Sequence, residues 1–166
     1  MPISRAERDF HRKTAAKCFN RAWDHLEMKA RTREQSREML HLAHASRYHW
    51  GLVGTPRNRA VGEWQLSRVY AELGEPRLAL LFAKSCMQVC RSQHLTELLP
   101  TANEAVARAY AVAGDSKNAR RYLAKARRQL DLLVLDKEER GIYSRQITET
   151  EALIQGRSVR GDGASA

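Results

Sequence analysis

Long apolar runs are missing from this 166-residue chain: the longest are a handful of residues, far short of the roughly 20 needed to cross a bilayer. Cysteine is scarce, with three in all, an odd number that builds no disulfide framework. Aromatics make up 7% and prolines number four, so any core rests mainly on aliphatic and small side chains. Acidic residues are outnumbered, 19 against 29 basic, which excludes an acidic, solvating chain. No phosphate-cradling glycine loop, nucleophile elbow or paired-cysteine zinc motif occurs, so the expectation is a protein that is not an enzyme and holds no cofactor. The first ten residues, Met1 to Phe10, contain no apolar stretch of signal-peptide length. A cytoplasmic, non-membrane setting is therefore expected.

What is present fits one folded domain. Hydrophobic residues form 43% of the chain and charged residues 29%, and the length suits a single continuous core. The formal charge of +10 favours anionic partners through long-range attraction without choosing among them. Apolar residues recur at helical spacing nearly throughout. A first helix is expected over residues 5–29, carrying Phe10, Cys18, Ala22, Trp23 and Leu26. Thr32 with Gln35 reads as a capping box for a second helix ending near Gly51, and Thr55-Pro56 opens a third ending at Gly74. Pro76 opens a fourth, Thr96 is expected to cap a fifth, and a sixth runs from Ser116 to about Leu133. Asp136 starts a seventh, which reads as a terminal cap over the end of the stack. Residues 1–155 are taken as the domain, and residues 156–166, small and polar, as a disordered tail. The Arg160-Gly161-Asp162 triplet within it is too short a string to carry meaning.

The chain also repeats itself. Arg68-Val69-Tyr70-Ala71, then Gly74 and Ala79, recurs forty residues on as Arg108-Ala109-Tyr110-Ala111, Gly114 and Ala119. A repeat of this length implies helix pairs that each bury an apolar face against the next pair. Leu66, Tyr70, Gly74, Ala79 and Cys86, followed by Ala107, Tyr110, Gly114, Ala119, Leu123 and Ala126, resemble the aliphatic, aromatic, turn and small-residue places of tetratricopeptide repeats. In the first pair Trp23 stands for the aromatic, and Ser36 and Ala43 for the small residues, if its turn is about four residues longer than the others. The spacing also exceeds that family's usual ~34 residues. The resemblance implies an all-α, right-handed superhelix of three helical hairpins plus a capping helix. It further implies an adaptor that binds a peptide segment in a groove lined by the first helix of each pair.

That lining, carried over from the resemblance, selects the residues two and six before each marker aromatic: Arg21, Arg68 and Arg108, then Lys17, Trp64 and Glu104. Arginine makes paired hydrogen bonds to carboxylates, and Trp64 adds an apolar anchor, so an acidic peptide or a free C-terminus fits such a groove. The competing reading makes these arginines ordinary solvated residues, or partners of Glu104 and Asp24 within the stack. Two alternatives come from elsewhere in the chain. One is nucleic-acid binding through the basic sixth helix, with Lys117, Arg120, Arg121, Lys125, Arg127 and Arg128. The other is a small-molecule or metal site near His41, His44 and Glu63, which lacks the His-Glu-x-x-His spacing of a strong metal motif. An exposed apolar end or groove makes a homodimer plausible.

Overall fold

The computed structural model describes residues 3–156, and all its regular structure is helical. The seven α-helices are α1 (Arg5–Leu26), α2 (Arg33–Val53), α3 (Pro56–Glu72), α4 (Pro76–Ser92), α5 (Leu99–Val112), α6 (Ser116–Asp131) and α7 (Lys137–Ile154). Consecutive helices pack as pairs, α1 on α2, α3 on α4 and α5 on α6, while α7 lies against both α5 and α6. The expected tail from residue 157 onward lies outside the described residues, as does its Arg-Gly-Asp triplet.

Local chemistry explains where the helices begin. Ser4 with Glu7, Thr32 with Gln35 and Thr55 with Asn58 each exchange backbone and side-chain hydrogen bonds as capping boxes, satisfying amides that have no partner within the helix. Asp136 caps α7 by accepting from the Glu139 amide. The expected cap at Thr96 is not formed. Thr96 instead opens a 3₁₀ turn, Thr96–Leu98, and α5 starts only at Leu99 with Pro100 in its first turn.

The two repeat turns are built alike. Gly74 and Gly114 have φ of 75° and 78°, a left-handed backbone that glycine adopts without steric cost. In each turn the following amide returns to the marker tyrosine: Glu75 N–H donates to the Tyr70 carbonyl and Asp115 N–H to that of Tyr110, both at 2.9 Å. Ala79 and Ala119 are then fully buried. The tyrosine rings match as well, Tyr70 stacking on Phe82 at 5.3 Å and Tyr110 on Tyr122 at 5.8 Å, each partner twelve positions later.

The first pair departs from this scheme. Residues 27–32 link α1 to α2, a longer connection than 73–75 or 113–115. The Arg31 guanidinium, 6% exposed, fills the gap by donating to the carbonyls of His25 and Leu26 and pairing with Glu72 of α3 at 2.6 Å. Burial pushes the Arg31 pKa down, a cost offset by these three acceptors. Trp23 does not take the place held by Tyr70 and Tyr110. Its ring reaches across to Trp64 of the next pair, with centroids 5.3 Å apart.

The core runs through the stack as connected clusters, the largest built from Trp64, Cys86, Met87, Cys90, Leu98 and Val106. Cys86 and Cys90 are buried free thiols within it; the hydrogen bond between them, and then burial, pushes the Cys86 thiol pKa well up, while the same bond brings that of Cys90 down.

Candidate functional site

Where α1, α3, α5 and α7 face one another, they leave a pocket of about 1110 Å³. Phe19 and Trp23 of α1 form one wall, Trp64 and Arg68 of α3 the next, and Arg108 and Val112 of α5 a third. The last wall belongs to α7, with Ile142, Arg145, Gln146, Glu149 and Leu153. Helical spacing accounts for this convergence. Residues 64 and 68 are four apart on α3, as are 104 and 108 on α5 and 145 and 149 on α7, so each pair shares one face.

The centre of the pocket is an ion network. Arg68 donates through Nη2 to Glu149, and the same carboxylate oxygen accepts from Arg108 Nη2 at 3.2 Å. Arg108 also donates through Nε to Glu104 at 2.9 Å and reaches the Gln146 carbonyl at 3.4 Å. Glu104, fully buried, accepts a further hydrogen bond from Thr150 of α7. The Arg68 guanidinium lies 5.4 Å from the Trp23 ring centre, a cation–π contact in a largely dehydrated setting. Burial, and then the nearby Arg108, lower the Arg68 pKa while Glu104 and Glu149 hold it up. For Glu149 burial works upward, but the charge and hydrogen bond of Arg68, then those of Arg108, bring the carboxyl below its usual range. The network keeps a carboxylate ionised in a half-buried site. Two donors, Arg68 Nη1 and Trp64 Nε1, are buried beside it without a hydrogen-bond partner among the described residues.

Of the six groove residues expected from the sequence, three line this pocket: Trp64, Arg68 and Arg108. Glu104 lies just behind them as the buried partner of Arg108. Lys17 and Arg21 are exposed on α1 and take no part; Arg21 pairs with Glu38 of α2 at 3.3 Å instead. Their register was counted from Trp23, which is displaced toward α3, and the count fails with it.

Glu149, Arg145 and Gln146 could not be found by repeat logic, because α7 lies beyond the repeat. The only sequence signal was the spacing of Arg145 and Glu149 on an amphipathic helix.

The comparisons with known proteins add no relative: no family model, curated protein or solved structure matches this chain. The site therefore rests on its own geometry.

The other two expected sites look different. Glu63 is buried and committed to Arg47 at 2.8 Å, and His44 Nε2 is 2.8 Å from the Tyr70 hydroxyl, its ring edge-on to the stacked pair of Tyr70 and Phe82. His41 is exposed. Among the described residues no group of three or more histidines, cysteines or carboxylates is arranged to hold a metal, so His41, His44 and Glu63 do not assemble as one.

On α6, Ala119, Leu123, Ala126 and Leu130 form the buried stripe. All six basic residues fall on the opposite side, within an arc of about 160° at 100° per residue, rather than spreading around several faces.

Proposed function

We propose that this chain is a tetratricopeptide-like interaction module whose pocket takes an acidic segment of a partner protein. One observation carries the proposal: a carboxylate, that of Glu149, is held between Arg68 and Arg108 against the Trp23–Trp64 pair. That internal pairing with the chain's own last helix supports a carboxylate as the group the arginine pair takes. Planar guanidinium donors suit a carboxylate, and desolvation beside two indoles strengthens the bond over one in water. The matched turns at Gly74 and Gly114, with their stacked tyrosine partners, support a superhelical array of three hairpins and a cap. In this reading an incoming acidic side chain replaces Glu149 or seats beside it, and Arg145 on the exposed rim steers its approach.

The test is selection of random 15-residue peptides on the full chain. The expected result is enrichment in Asp and Glu beside an aromatic or aliphatic anchor, lost when the exposed Arg145 is changed to Glu and when Arg68 is changed to Gln. Selected peptides with no acidic bias, or an acidic set indifferent to both substitutions in calorimetry, would reject the pocket as the binding site.

A further inference from the structure

The positive charge of this protein is concentrated in two helices. The α4 helix carries Arg77, Lys84 and Arg91 and no acidic residue. The α6 helix carries six basic residues against Asp131 alone. Together they hold nine basic groups and one acidic group, a balance of +8 within a chain of net charge +10. The rest of the chain sums to +2, with α1 its most basic helix. Among the described residues, only Arg127 of the nine is in an ion pair, with Glu151 of α7 at 2.6 Å, half exposed and so weakly held. The caps Glu75 and Asp115 stand at the helix starts, and Asp115 is occupied by the Asn118 amide and side chain.

The two helices flank a groove of about 390 Å³. Lys84, Gln88 and Arg91 of α4 form one side, Tyr122 of α6 the other, and Val106 of α5 the floor. Lys84 and Arg91 are seven apart and lie on one line of α4; Arg121 and Arg128 are likewise seven apart on α6, about 10 Å of helix. Lys84 and Arg91 therefore edge the channel on α4, and Arg121 and Arg128 make a second cationic row further round α6 from Tyr122. The pocket of Arg68 and Arg108 lies elsewhere, lined by α1, α3, α5 and α7.

We infer that this α4–α6 face binds the phosphodiester backbone of a nucleic acid, without reading its bases. The charge segregation supplies the attraction, since neutralising a phosphate row releases counterions. Sequence indifference follows from the groove's one aromatic: the Tyr122 ring is already engaged by Tyr110 and by the Lys125 ammonium, 4.6 Å from its centre, leaving no free platform for a base. A membrane surface is the poorer fit on α6, which mixes no exposed large hydrophobic residue among its basic ones, whereas α4 exposes Leu78 and Leu81 beside Arg77 and Lys84. The exposed Leu132 and Val134 are confined to the loop past the end of α6.

The experiment uses the full chain and fluorescence anisotropy with two labelled probes, a 20-nucleotide single-stranded RNA and a 20-base-pair DNA duplex. Four or five phosphate contacts predict a log–log salt slope of about −3 to −4.5, from ~0.7–0.9 per contact. Reversing three exposed residues, R120E/R121E/R128E, should weaken binding at least tenfold and flatten the slope by about two to three. The control R8E/R12E/K13E on α1 makes the same change in net charge at exposed positions and should cost far less. Equal losses in the two variants, with both folded by circular dichroism, would show that net charge and not this face binds, and would overturn the proposal. So would no binding of either probe at 20 mM salt, competition by polyglutamate as effective as unlabelled RNA, or tighter binding to phosphatidylserine vesicles than to nucleic acid. Which probe binds better decides between RNA and duplex DNA.

Discussion

Three residues in the left-handed region test the turns, because their costs have opposite signs. A Cβ added at Gly74 or Gly114 meets nothing within 4 Å, so replacement by Ala is resisted by backbone strain alone. Both G74A and G114A should lose about 1–2 kcal/mol, and by nearly equal amounts, since the two turns share one geometry. His94, at the end of α4, already sits at φ 53° as a non-glycine residue, and its neighbour Leu95 makes the same return hydrogen bond to the Cys90 carbonyl. H94G should therefore stabilise the fold by up to about 1 kcal/mol. Chemical denaturation of the three variants checks all of this. Unequal losses at the two glycines would mean the repeat is not structurally equivalent.

Glu149 carries the other residue-scale prediction. E149Q leaves Arg68 and Arg108 sharing a neutral acceptor in a half-buried site, which should cost about 1–3 kcal/mol. The folded-state pKa is lowered, so the stabilisation from this carboxylate is fully present above the ordinary carboxylate range and is lost as pH falls through the depressed value. Wild type and E149Q should thus differ in stability at neutral pH and converge in acid. A gap that persists to the lowest pH at which both fold would place the stabilisation outside that ionisation.

At the scale of elements, the helices are legible in the sequence through caps and turns, and the lining of the pocket only in part. Thr32, Thr55, Gly74, Gly114 and Asp136 mark ends legibly because a cap is a local event, decided within three or four residues. Trp64, Arg68 and Arg108 were also legible, because the repeat fixes which face of α3 and α5 looks inward. Trp23 was misplaced because the position of α1 depends on its long link to α2, held by Arg31 and Glu72, residues forty-one positions apart with no shared motif. Glu149 was hidden for a similar reason: what α7 contacts is set by how it folds back, not by its own periodicity. Thr150, Glu149 and the Gln146 carbonyl are its polar contacts to α5 and α3. If an acidic peptide displaces Glu149, E149Q should bind that peptide more tightly than wild type despite being less stable. Weaker binding to E149Q would mean that the internal carboxylate helps to hold the ligand and does not compete with it.

For the whole molecule, the question is how a chain with eight surplus positive charges on two neighbouring helices stays folded. Repulsion along α6 acts between exposed groups over distances comparable to the Debye length of about 10 Å at 0.1 M salt, so added salt relieves it. Salt also weakens attractive pairs, but the pairs that matter most here, Arg68 and Arg108 with Glu149 and Glu104, are largely buried and little screened. Relief should exceed loss. The melting temperature should accordingly rise between 20 and 300 mM sodium chloride, and rise less in R120E/R121E/R128E, where the repelling row is gone. A melting temperature that falls with salt in the wild type would show that exposed pairs such as Arg57–Glu97 and Arg127–Glu151 contribute more than the basic face costs. A rise of equal size in both proteins would locate the repulsion elsewhere on the surface.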